Sequence, residues 1–137
     1  MNEWKLTALV RAILAGAVAA ITTLLGGWDD AMMILTIFIV LDIISGWIRA
    51  FIQKELSSEE SFRGTAKKVL IYVIVAVAAQ ADRLTGTALV RNVVIAWYCA
   101  TEALSILENT VAAGLPVPEF LKEALKQLNE KKFPVAS

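Results

Sequence analysis

Long uncharged stretches alternate with short charged clusters along this chain. Residues 12–28, 31–41, 69–81 and 92–101 carry no Asp, Glu, Lys or Arg. A soluble helical bundle keeps a polar face on every helix, yet the first two stretches are apolar almost all round. Extended to their natural ends they cover residues 6–27 and 31–52, each above the ~20 residues that cross a bilayer core as helix. The third has an uncharged centre of only 13 residues, about 20 Å of helix. Lys67, Lys68 and Arg83 flank it, and long basic side chains can snorkel, which extends the segment to 66–84. The fourth, 88–109, is long enough but contains Arg91, Asn92 and Glu102. The pattern predicts an all-α integral membrane protein with four transmembrane helices.

Two polar segments complete the pattern. Ser57 and Ser58 are helix-capping residues, so residues 57–64 predict a short helix leading into the third span. Pro116 and Pro118 separate a membrane domain, 1–112, from a C-terminal segment, 113–137, because proline opens a helix more readily than it continues one. There Phe120, Leu121, Ala124, Leu125 and Leu128 form one side of an amphipathic helix and Lys122, Glu123 and Lys126 the other. Lys131 and Lys132 suit its C-terminus and Pro134 its stop.

Charge placement orients the chain. The 13 basic and 13 acidic residues cancel, which argues against nucleic acid as a partner. Eleven of the basic residues fall on one side of the four spans, leaving Arg83 and Arg91 on the other. Basic loops stay cytoplasmic, so both termini and the C-terminal helix are expected inside, in a multi-pass protein of the bacterial cytoplasmic membrane. Ala17-Val18-Ala19 resembles a signal cleavage site, but the apolar run continues to Leu25, which argues for a retained anchor. Trp4, Trp28 and Trp47 lie near the predicted interfaces, as an aromatic belt requires.

Candidate chemistry is limited. The chain has no histidine and one cysteine, Cys99, which removes histidine-dependent nucleophile systems, imidazole zinc motifs, intrachain disulfides and CxxC sites. No cofactor or metal is expected, and no enzymatic constellation stands out. Cys99 reads as a small buried apolar residue.

The polar residues inside the spans are the candidate functional groups, because an ion at membrane depth needs a partner or water. In the second helix Asp42, Ser45, Gly46 and Arg49 share one face. In the third, Tyr72, Ala76, Ala79 and Arg83 share a side, with Gln80 beside it. In the fourth, Arg91, Tyr98, Glu102, Ser105 and Asn109 lie within about 60° of one another at 100° per residue. Either these stripes pair inside one bundle, Asp42 with Arg91 and Glu102 with Arg49, or they face other copies and line a water-filled hole in a homo-oligomer. In the first helix Ala8, Ala12, Gly16 and Ala20 form a small-xxx-small ladder suited to close helix packing in lipid.

Three stretches are similar to a known family: Asp42-x-x-Ser45-Gly46, the loop Ser57-Ser58…Arg63-Gly64-x-x-Lys67-Lys68, and Glu102-Ala103-Leu104-Ser105-Ile106-Leu107-Glu108-Asn109…Gly114-x-Pro116-x-Pro118. Together they resemble the phage-lysis and toxin-secretion holins. The last stretch is the most specific; Ser45 stands where threonine is expected. The resemblance implies a protein that collects in the cytoplasmic membrane and assembles into lesions. Those lesions release a cell-wall hydrolase or a large toxin, without direct contact being required. A small proton-coupled transporter using Glu102 or Asp42 is the alternative reading.

Overall fold

The computed structural model describes residues 1–130. Among them the chain forms helices α1 (Glu3–Leu24), α2 (Asp30–Ile52), α3 (Ser58–Thr85), α4 (Leu89–Ala112) and α5 (Glu119–Glu130), and no strand. The expected helix-ending residues Lys131, Lys132 and Pro134 lie outside the described residues, as do the side chains of Leu125 and Leu128.

Helices α1, α2 and α4 are long and apolar enough to cross a membrane. Helix α3 is not among them; its 28 residues include Glu59, Glu60, Arg63, Lys67, Lys68, Asp82 and Arg83. The polar segment 57–64, expected as a separate short helix, is continuous with it. Ser57 caps the joint helix by accepting from the Glu60 amide, and nothing before Thr85 breaks it. At about 1.5 Å per residue α3 is roughly 42 Å long.

Helix α4 is the central element, packed along α2 on one side and α3 on the other, while α2 and α3 touch each other little. The Gln53 amide donates to the Ala112 carbonyl at 3.2 Å, fixing the ends of α2 and α4 together. The apolar core is Leu25, Met32, Leu35, Ile39, Ile71, Val75 and Ile95. Met32, Leu35, Ile39 and Asp42 are the buried residues of α2, at helical spacing. Arg91, Ile95, Glu102 and Asn109 are those of α4. The outward side chains are aliphatic, among them Ile37, Val40, Ile44, Val73 and Val77. Charges inside and hydrocarbon outside is the arrangement lipid favours: apolar packing between helices gains little there, and polar contacts and close fit hold them.

Helix α1 stands apart. It has no buried residue and meets the rest only near its C-terminal end, where the Gln80 amide donates to the Leu24 carbonyl at 2.9 Å. Helix α5 rests on the C-terminal part of α4. Of its expected apolar side Leu121 is half-buried, whereas Phe120 and Ala124 are exposed and Lys122 is half-buried in their place.

Candidate functional site

The polar interior forms two separate clusters. One lies at the end of the bundle where α1 meets α2 and α3 meets α4. Arg91, on the first turn of α4, reaches across to the α1–α2 connection. Its Nε donates to the Leu25 carbonyl at 2.6 Å and Nη2 to the Gly27 carbonyl at 3.0 Å. Nη1 and Nη2 hold the two Asp29 oxygens at 2.8 and 3.1 Å. This fork satisfies carbonyls that the end of α1 leaves free in the bidentate geometry that guanidinium–carboxylate pairs favour. Gly26 is required beneath it. Its φ is +80°, and a Cβ there would sit 2.9 Å from Arg91 Cδ and Nε. Asp29 also caps α2 through the Met32 amide at 3.0 Å. The hydrogen bond from Arg91, with help from the Met32 amide, outweighs desolvation and lowers the Asp29 pKa to about 2.

Asp82 of α3 completes this cluster. It accepts from Thr87 Oγ1 at 2.6 Å, the Val90 amide at 3.0 Å and the Arg91 amide at 2.8 Å. A carboxylate from the preceding helix thus caps α4, whose own N-cap position, Ala88, has no side-chain acceptor.

The second cluster lies near the midpoints of α2 and α4. Lys68 Nζ bonds Asp42 Oδ2 at 2.7 Å and Glu102 Oε2 and Oε1 at 2.6 and 2.9 Å. Glu102 is 2% exposed, and Asp42 and Asn109 8% each. Asn109 Nδ2 donates to Asp42 Oδ1 at 3.1 Å and Ser45 Oγ at 3.0 Å, and Ser45 Oγ donates to the Asp42 carbonyl at 3.0 Å. One turn along α3 from Lys68, the Tyr72 hydroxyl bonds Thr36 Oγ1 at 2.8 Å.

The expected stripes do turn inward, but their pairing differs. Arg91 holds Asp29 rather than Asp42, because it sits at the start of α4, beside the α1–α2 connection. Glu102 is held by Lys68 rather than Arg49, whose buried Nε has no hydrogen-bond partner among the described residues. Lys68 therefore does not snorkel outward. It continues the Tyr72, Ala76, Ala79 stripe one turn toward the N-terminus, and that spacing was the available signal. Arg83 falls off the stripe: it is exposed and donates to Gln80 at 3.3 Å, while Asp82 beside it is buried. Tyr98 and Ser105 are half-buried and face this interior less fully than Glu102 and Asn109. Ala8, Ala12, Gly16 and Ala20 are all exposed, so their ladder packs on nothing within the described chain. Cys99 is half-buried. Among the described residues no group of three His, Cys, Asp or Glu is placed to hold a metal ion.

Residues 19–130 match the bacteriophage holin family. An uncharacterized 14.9 kDa protein of Clostridium perfringens is 46% identical over 113 residues, 81% of this chain and 86% of that one. An uncharacterized protein of Listeria monocytogenes is 45% identical over 103 residues, 74% of each chain. A probable holin of Bacillus phage phi105 is 33% identical over 97 residues, 70% of each chain. No solved structure matches. A family match running from the first helix to the last described one agrees with a bundle that turns its charges inward and its hydrocarbon outward: this chain belongs to the bacteriophage holin family.

Proposed function

We propose that the protein is a holin that oligomerises in the bacterial cytoplasmic membrane and forms non-selective holes, through which a cell-wall hydrolase or a large toxin leaves the cell. The observation that carries this reading is the family match combined with an ionic interior enclosed by an aliphatic surface. Four spans with both termini inside fit the eleven basic residues on one side. Helix α3 joins α1, α2 and α4 as the fourth span despite its charges, because Lys68 is paired with Asp42 and Glu102 and Asp82 accepts three hydrogen bonds within the bundle.

Asp42, Ser45, Arg49, Arg91, Tyr98, Glu102, Ser105 and Asn109 are the polar interior that holds a single copy closed. Ala8, Ala12, Gly16 and Ala20 are the surface left for a second copy. As copies accumulate, helix contacts between chains replace contacts within them, and water enters where polar groups are already present. No chemical step is involved. Proton-coupled transport is less well supported, because Lys68 occupies both candidate carboxylates.

The test is induced expression in bacteria while following membrane potential and leakage of a cytosolic enzyme. A hole former gives a normal interval, then abrupt depolarisation and leakage, and D42A or E102A shifts that interval. Abundant membrane-inserted protein with full potential, or drug resistance without toxicity, would count against the reading.

A further inference from the structure

We infer that each copy, before any assembly, contains a water-filled inlet. It opens at the end of the bundle that carries the α2–α3 turn and reaches inward to the Asp42–Lys68–Glu102 cluster. A cavity of about 280 Å³ lies between the C-terminal half of α2, the N-terminal third of α3 and the C-terminal half of α4. One water needs only about 10–15 Å³ of such space. Cavities that stay dry are apolar, whereas polar ones hold water, and this one is lined by Arg49, Ser61, Thr65, Ser105, Glu108 and Asn109. Arg49 Nε, buried and without an acceptor among the described residues, is the kind of group that buried water satisfies. Ser61 and Thr65 donate their hydroxyl protons to the Ser57 and Ser61 carbonyls at 2.8 and 2.9 Å. Their oxygens remain available as acceptors.

The cavity exists because of small residues. Helix α3 presents Ser61, Gly64 and Thr65 at i, i+3 and i+4, and a Cβ added at Gly64 would meet nothing within 4 Å. Across from it, a Cβ at Gly46 would meet only Asn109 Nδ2, at 3.6 Å. Lys68 forms the inner end, held by two carboxylates about 15 Å from the ends of α2 and α4 at 1.5 Å per residue. At the same level the outward side chains Ile44 and Ile48 of α2 are exposed hydrocarbon. A wet wall and a lipid-facing wall therefore lie at one depth on opposite sides of α2. Beyond the cluster, Met32, Leu35, Val75 and Ile95 close the path. For hole formation, which rests on the proposed function, assembly then has only that second half to open.

Thiol labelling tests the inlet in the closed protein, independently of lysis. In a Cys99→Ala background, Ser61→Cys and Ser105→Cys are near-isosteric probes of the cavity. Ile44→Cys and Val73→Cys are lipid-facing controls. Inside-out membrane vesicles prepared before any leakage are treated with a membrane-impermeant charged thiol reagent. Because reaction follows access, the two cavity thiols are expected to react at least about tenfold faster than the controls. Adding Gly64→Leu, which fills open space without a clash, should bring Ser105→Cys down to the control rate. Cavity thiols as slow as Ile44→Cys, or no effect of Gly64→Leu, would overturn the inlet. Cells that never leak while the labelling holds would count against the hole reading and leave the inlet standing.

Discussion

Among the described residues Lys68 is the cation that pairs with both Asp42 and Glu102, and its removal leaves two carboxylates facing each other in the bundle interior. An uncompensated charge at membrane depth costs about 2.5–3.5 kcal/mol on insertion scales, and breaking a buried ion pair costs a similar amount. K68M should therefore destabilise the protein in detergent micelles by roughly 3 kcal/mol, read from unfolding curves. The triple variant K68M/D42N/E102Q removes the leftover charge and should recover most of that loss. Equal stability of K68M and the parent would mean that water reaching the cluster satisfies both carboxylates without Lys68. The sequence stripes grouped Asp42 on one helix face and Glu102 with Asn109 on another, without saying whether those faces meet inside one bundle or between copies; the structure buries all three. The partners were not legible, because a stripe gives a direction around one helix and says nothing about which residue of another helix arrives opposite. Lys68 sat beside Lys67 at the edge of an uncharged run and so resembled an interfacial flank. Asp29 sat in a turn, outside every stripe, and only the fold brings it to Arg91.

At the scale of elements, α1 and α3 depart furthest from their neighbours. Helix α1 is bound to the rest at one end by Gln80 and the Arg91 fork, and its ladder is bare. Gly16 has nothing within 4 Å of an added Cβ, so G16L should leave the fold of one copy unchanged. It should weaken association between copies, because close approach in lipid depends on small residues. Crosslinking yield in membranes at fixed expression is the measurement. A reduced yield with unchanged unfolding supports the ladder as a contact between copies, and an unchanged yield assigns it to lipid. The ends of α2 and α4 fall within a few residues of the ends of the apolar stretches 31–52 and 88–109, with Gly114 and two prolines following α4. Helix α3 was only half readable. Its N-terminal turns carry charge at a level where α2 carries hydrocarbon, a combination that makes sense only beside a polar cavity.

At the scale of the whole molecule, the bundle is apolar outside and ionic inside. Packing of Met32, Leu35, Ile39, Val75 and Ile95 against one another gains little over contact with lipid tails. Two polar clusters, about half a span apart, therefore specify how the helices dock. In the proposed reading such a bundle already holds, within one copy, the polar groups that a water-filled assembly needs. The most direct test of hole formation uses purified protein reconstituted into vesicles loaded with fluorescent dextrans of graded size. Release of protein-sized dextrans should begin abruptly above a threshold ratio of protein to lipid, with little size selection. Retention of the large dextrans at every ratio, or escape of small ions alone, would contradict the account.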